Sequence, residues 1–172
     1  MEIKIKWVER SGTNLLRYLI NNFTEHEAVG NDIYGSKHLI TEVPVDIVAI
    51  IKNPYNWVVS IDFYLNNWLK LKKNFDKKDI VDTYLNWYYR KNKAWKKQGA
   101  TFIKIEDLIE NPNKTLEFLD PIKIELPKKR ILPSGEELKF SKNNFKKTNK
   151  KLNKDIKKLI KNSDAMIFYN SL

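Results

Sequence analysis

The run Ile47-Val48-Ala49-Ile50-Ile51 constrains the fold of this chain more than any other segment. It is continuously apolar and rich in β-branched side chains, which favour an extended strand. Side chains alternate between the two faces of a strand, so this one is apolar on both and needs cover on both. Sheets covered on two faces are built from strands alternating with helices, and are mostly parallel. The run ends at Lys52-Asn53-Pro54, and Pro54 is well placed to open the next helix. That helix is read from Tyr55 to Leu71, with Val58, Val59, Phe63 and Leu69 among its apolar positions.

The rest of the chain repeats the alternation. Ile3, Ile5, Trp7 and Val8, interleaved with Lys4 and Lys6, predict a half-exposed strand. Leu15, Leu16, Leu19, Ile20 and Phe23 follow at helical spacing, and Thr24 to Pro44 reads as irregular. A second long helix is predicted from Lys78 to Lys97, rich in aromatic residues at Tyr84, Trp87, Tyr88 and Trp95. Thr101 to Ile105 reads as a third central strand, followed by Glu106-Asp107-Leu108 and a short helix after Pro112. Pro121, Pro127, Pro133 and Gly135 mark a loop-rich region, and Leu152, Ile156, Leu159 and Ile160 stripe a final basic helix. No repeat or internal boundary is visible. The expected fold is one α/β domain over residues 1–172, in three layers, with a mostly parallel central sheet flanked by helices.

Composition narrows the chemistry. There is no cysteine, which excludes thiol catalysis, zinc–thiolate sites and iron–sulfur clusters. His26 and His38 are the only histidines, too few for a histidine-rich centre, so no metal is expected. Charges interrupt the apolar residues from Glu2 to Arg10, unlike a signal peptide, and no apolar run reaches membrane-spanning length. A cytoplasmic protein without a membrane span is expected. The net charge of +11 fits nucleic acid, an anionic membrane surface or an anionic small ligand. Much of the lysine lies in Lys128-Lys129-Arg130 and between Lys139 and Lys161, where a solvated Lys/Asn-rich face is the plainer reading.

Two short segments carry the functional signal. Arg10-Ser11-Gly12-Thr13-Asn14 joins the first strand to the first helix. Such a turn aims backbone N–H groups and the positive helix end at one point, a site for an anion. Gly12 permits close approach, Ser11 and Thr13 add hydroxyls, and Arg10 adds a fixed charge. Lys52 leaves the second strand, and Ser60 follows it by eight residues. Ligands of open α/β sheets sit beyond the carboxyl ends of the strands, where both segments should lie. Two such sites side by side suit a ligand that is anionic at both ends. A nucleoside triphosphate fits less well, because no Gly-Lys-Ser/Thr closes the first turn.

Together these segments resemble the sulfotransferases that use 3′-phosphoadenosine 5′-phosphosulfate (PAPS). In that family a basic residue followed by Ser-Gly-Thr holds the 5′-phosphosulfate, matched by Arg10-Ser11-Gly12-Thr13 with arginine in place of the usual lysine. The family's Arg-Asn-Pro with a Ser eight residues after the Arg holds the 3′-phosphate, matched by Lys52-Asn53-Pro54 and Ser60. A strand followed by Glu-Asp-Leu and Asn-Pro is matched by Glu106-Asp107-Leu108 and Asn111-Pro112, an element that looks structural in the family. The similarity spans Ile3 to Leu119. The chain departs from the pattern at Ile105, where the family has a tyrosine that stacks on adenine. It also lacks a clear Arg-Lys-Gly segment, leaving Lys128, Lys129, Arg130, Lys139 and Lys142 open as substitutes.

The resemblance implies a P-loop NTPase-like sulfotransferase fold and transfer of a sulfuryl group from PAPS to a hydroxyl, less often an amine, of a small-molecule or glycan acceptor. Positioning and charge stabilisation carry most of such a reaction, here by Arg10 and the amides from Gly12 to Asn14, with Lys52 and Ser60 on the cofactor. An acceptor hydroxyl needs a base near neutral pKa. His38 occupies the interval where the family has its histidine, with Glu9 and Asp62 as the next carboxylates, while His26 reads as solvated. The aromatic residues are mainly core, with Trp68, Trp87 and Tyr88 as candidates to line the acceptor side. Two other readings stand beside this one. A non-enzymatic nucleic-acid-binding module accounts for the lysines and aromatics but not for the spacing of the two turns, so no specific nucleic acid is expected. A related nucleotide phosphotransferase is the other.

Overall fold

Four parallel strands form the sheet, in the order β2-β1-β3-β4. The computed structural model describes residues 2–8, 11–29, 46–67, 79–131, 137–140, 152 and 154–172. The strands are β1 (Glu2–Trp7), β2 (Glu27–Val29), β3 (Ile47–Ile51) and β4 (Thr101–Lys104). In β3, Val48 and Ile50 pack into one core, whereas Ala49 and Ile51 pack into the other. All its residues are buried, as an unbroken apolar run requires.

The first core lies under α1 (Thr13–Phe23), whose Leu15, Leu16, Leu19 and Ile20 meet Ile3, Ile5 and Trp7 of β1. The short helices α4 (Ile105–Glu110) and α5 (Pro112–Thr115) flank it, contributing Leu108 and Ile109 from α4, with Leu116 just beyond α5. The second core lies under α2 (Pro54–Asn67) and α3 (Asn86–Lys97), the latter entered through a π-helical stretch at Ile80–Leu85. Trp57, Tyr88 and Trp95 are fully buried there, each ring worth several kcal/mol of burial, on the order of 3–5 by truncation. Two C-terminal helices, α6 (Lys154–Lys161) and α7 (Asp164–Asn170), close this side.

Because α1 covers one face and α2 and α3 the other, the winding reverses between β1 and β3. From β1 the chain steps outward to β2; from β3 it steps the opposite way to β4. Crossovers of one hand on opposite faces of a sheet step in opposite directions, as this order requires.

Several expectations need correction. β1 is an interior strand rather than half-exposed: it pairs on both sides, and Lys6 is 0% exposed. The stretch read as irregular contains β2, whose three residues are too few for a periodic signal. β4 lies at the edge of the described sheet and stops at Lys104, because Ile105 already begins α4. The proline-rich region forms an antiparallel pair, β5 (Lys129–Ile131) with β6 (Glu137–Lys139). The single final helix is two, divided where Ser163 caps α7 by accepting from the Met166 N–H, and Leu159 is on the exposed side.

Candidate functional site

The carboxyl ends of β1 and β3 emerge side by side, since Trp7 pairs with Ile50. This is the reversal point of the winding, the crevice in which open α/β sheets bind ligands. The turn after β1 and the turn after β3 both open there.

At the first turn Gly12 is the N-cap of α1, with φ 97° and ψ 21°, a left-handed conformation that glycine adopts at little cost. Its carbonyl accepts from Leu15 N and Leu16 N at 3.1 and 3.3 Å. A Cβ at this position would lie 2.6 Å from Ile105 Cδ1 and 2.8 Å from Ile105 Cγ1. Ile105 is therefore the floor beneath the turn, fully buried, and not a surface that meets a base. The N-cap Gly12 has no side chain to cap α1, and the first turn of the helix carries no acidic residue. The opening N–H groups of such a helix have no intrahelical acceptor. Ser11 is completely buried, and its Oγ has no hydrogen-bond partner among the described residues. Thr13 is buried as well, and Asn14 is exposed. Arg10 lies outside the described residues, as do Glu9, His38, Trp68 and Lys142.

The second turn is built differently. Lys52 is 5% exposed, and its Nζ donates to Ser60 Oγ at 2.6 Å. The two residues singled out by their spacing thus meet, one leaving β3 and the other on α2. Asn53 caps α2 in two ways: its carbonyl accepts from Trp57 N at 2.8 Å, and its Oδ1 accepts from Tyr55 N at 3.0 Å. Glu106, in the first turn of α4, accepts through Oε1 from Asn53 N at 3.0 Å and from Asn56 Nδ2 at 3.2 Å. Its Oε2 accepts from the Tyr169 hydroxyl of α7 at 3.1 Å. Burial, then the neighbouring Glu106 carboxylate, raises the Tyr169 phenol well above its ordinary range, so it stays a donor. Tyr88 donates its hydroxyl to the Lys52 carbonyl, and its ring is fully buried against Trp57, with centroids 4.8 Å apart, as a core residue rather than an exposed stacking surface. Trp87 is half-buried and packs on Trp57, with ring centroids 6.2 Å apart.

Chemically, the first turn offers a buried hydroxyl without a partner among the described residues, and the second offers one ammonium held in a hydrogen-bonded frame. Because Glu106 already takes the Asn53 N–H, an anion at the second turn would be read through the Lys52 side chain rather than the α2 terminus. Tyr88, Glu106 and Tyr169 are contributors that the sequence pattern assigns to core or leaves without chemistry. Only the Glu106-Asp107-Leu108 segment carries a signal that could have found them. Of the other titratable groups, His26 is half-buried rather than solvated, and its Nδ1 has no partner among the described residues. Asp62 is exposed. Lys128 and Lys129 are exposed on the β5–β6 side. No helix among the described residues is long and apolar enough to cross a membrane. Comparisons with family models, curated proteins and solved structures found no match.

Proposed function

We propose that this chain is a sulfotransferase of P-loop-like α/β fold that binds PAPS across the two turns and transfers its sulfuryl group to a hydroxyl acceptor. One observation carries the reading. A lysine just after β3 and a serine eight residues on, in α2, meet at 2.6 Å beside a glycine-started helix whose adjacent buried serine hydroxyl has no partner among the described residues. A buried hydroxyl without a partner costs about 1–3 kcal/mol. It is the kind of unmet demand that a ligand oxygen supplies.

In this reading the amides from Gly12 to Asn14, with Arg10, take the 5′ end of the nucleotide, and Lys52 with Ser60 takes the 3′-phosphate. The bound donor supplies an activated sulfuryl group, attacked in line by the acceptor oxygen. His38 accepts the proton of that oxygen, and Arg10 with the Gly12 amides stabilises charge developing on the leaving phosphate. A buried Lys52 paired with Ser60 distinguishes this reading from a simple basic surface, where lysines stay solvated.

The test is a thermal-shift comparison of adenosine 3′,5′-bisphosphate, ATP and a short oligonucleotide at physiological salt. At a hundred times its Kd the bisphosphate should add about 2.7 kcal/mol, a Tm rise of roughly 5–10 °C. Equal stabilisation by ATP would favour a phosphotransferase. A response to the oligonucleotide alone, fading as salt rises, would favour a nucleic-acid-binding module.

A further inference from the structure

The peptide unit between Lys52 and Asn53 is held at both of its polar ends by side chains distant in sequence. Its carbonyl accepts from the Tyr88 hydroxyl, 36 residues away on α3. Its N–H donates to Glu106 Oε1 at 3.0 Å, 53 residues away on α4. With both ends fixed, the peptide plane cannot rotate, and that plane sets the direction in which the Lys52 side chain leaves the backbone. Glu106 is itself oriented: Oε1 also takes Asn56 Nδ2, and Oε2 takes the Tyr169 hydroxyl, 63 residues away in the C-terminal helix α7. Lys104 Nζ sits 4.7 Å from the centroid of the Tyr169 ring, fixing that ring from the end of β4.

We infer that Tyr88, Glu106 and Tyr169 are positioning residues, a clamp on the Lys52–Asn53 peptide that aims the Lys52 ammonium into the crevice between β1 and β3. They touch no ligand themselves. The part of this inference that concerns a 3′-phosphate rests on the nucleotide reading; the clamp does not. Three elements, α3, α4 and α7, thereby converge on a single lysine, and the C-terminal helix becomes part of the site.

Two measurements on the full chain test this. In the first, lysines are acetylated with N-hydroxysuccinimide acetate at low conversion and read by peptide mass spectrometry. Tyr88→Phe and Glu106→Ala should each label Lys52 about tenfold faster than wild type, while Lys6, 0% exposed, stays protected. Glu106→Gln should stay closer to wild type than Glu106→Ala, because its amide oxygen still accepts the Asn53 N–H while its amide nitrogen cannot accept from the Tyr169 hydroxyl. Tyr169→Phe, which removes one hydroxyl, should fall between. An unchanged Lys52 rate in both Tyr88→Phe and Glu106→Ala overturns the inference, as does a parallel rise at Lys6, which reports general loosening. In the second, affinities for adenosine 3′,5′-bisphosphate and adenosine 5′-phosphate are compared. The clamp variants should lose about tenfold in the preference for the bisphosphate while keeping their affinity for the monophosphate. Equal losses for both ligands contradict a positioning role. If the wild-type protein shows no preference between the nucleotides, the nucleotide reading fails and the labelling alone decides whether the clamp aims Lys52.

Discussion

The two turns at the mouth of the sheet share an architecture and differ in what they leave unsatisfied. Each follows an interior parallel strand and opens a helix that covers the sheet. After β1, the helix starts at a left-handed glycine without a side-chain cap, and the adjacent serine hydroxyl is buried and unpartnered among the described residues. After β3, the helix start is capped by Asn53, tied to Glu106, and carries a lysine whose ammonium meets Ser60. The difference teaches that a strand-to-helix turn is not by itself a binding site. The first turn is shaped by what it lacks, and the second by how completely it holds one charged side chain.

The largest expected effect lies at the open turn. Gly12→Ala forces a side chain into the left-handed region and against Ile105, and should cost about 3 kcal/mol in urea unfolding. Gly99 provides the control: its φ is +80°, and a Cβ added there would meet nothing within 4 Å, so Gly99→Ala should cost only about 1 kcal/mol. Equal costs would mean that the contact with Ile105 does not shape the first turn. Next comes Glu106→Ala, which strips acceptors from Asn53, Asn56 and Tyr169 and should destabilise by about 2–3 kcal/mol. Ser11→Ala removes a hydroxyl that has no partner among the described residues, and should leave stability within about 1 kcal/mol of wild type, or raise it. A costly Ser11→Ala would erase the contrast between the two turns.

Binding sharpens the same contrast. Lys52→Ala should weaken adenosine 3′,5′-bisphosphate by tenfold to hundredfold, about 1.5–3 kcal/mol for a charge-assisted contact, by calorimetric titration. Lys123→Ala, at an exposed position, should change affinity by no more than about twofold. The smallest expected effect concerns a second buried lysine. Burial, then the nearby Lys4 and Lys91, lowers Lys6 below its ordinary pKa of 10.5. Between its folded pKa and 10.5 the unfolded chain binds the extra proton, so this residue makes stability rise with pH across that window. Lys6→Met should flatten that rise, measured as unfolding free energy from pH 7 upward. An unchanged slope would mean that Lys6 keeps an ordinary titration.

Much of this was legible in the chain, for local reasons. A continuously apolar, β-branched run gave β3 its bounds, and Pro54 gave α2 its start, because both signals lie within a few residues. The Lys52–Ser60 contact was visible as a spacing across one helix start. The clamp was not, because its hydrogen bonds join positions 36, 53 and 63 residues apart, and nothing local marks Tyr88 as a donor to a particular carbonyl. Lys6 misled for a related reason: alternation implies an exposed face, and only the packing of helices over that face buries it. The break before α7 did have a local signal, Ser163 followed by Asp164, the composition of a helix start.

The two-ended grip is tested most directly by titrating the protein with adenosine 3′,5′-bisphosphate, adenosine 5′-phosphate and adenosine 3′-phosphate at physiological salt. If the β1 and β3 turns hold opposite ends of one nucleotide, the bisphosphate binds at least about tenfold more tightly than either monophosphate. A bisphosphate no tighter than one of the monophosphates would mean that only one turn takes an anion, and would contradict the account.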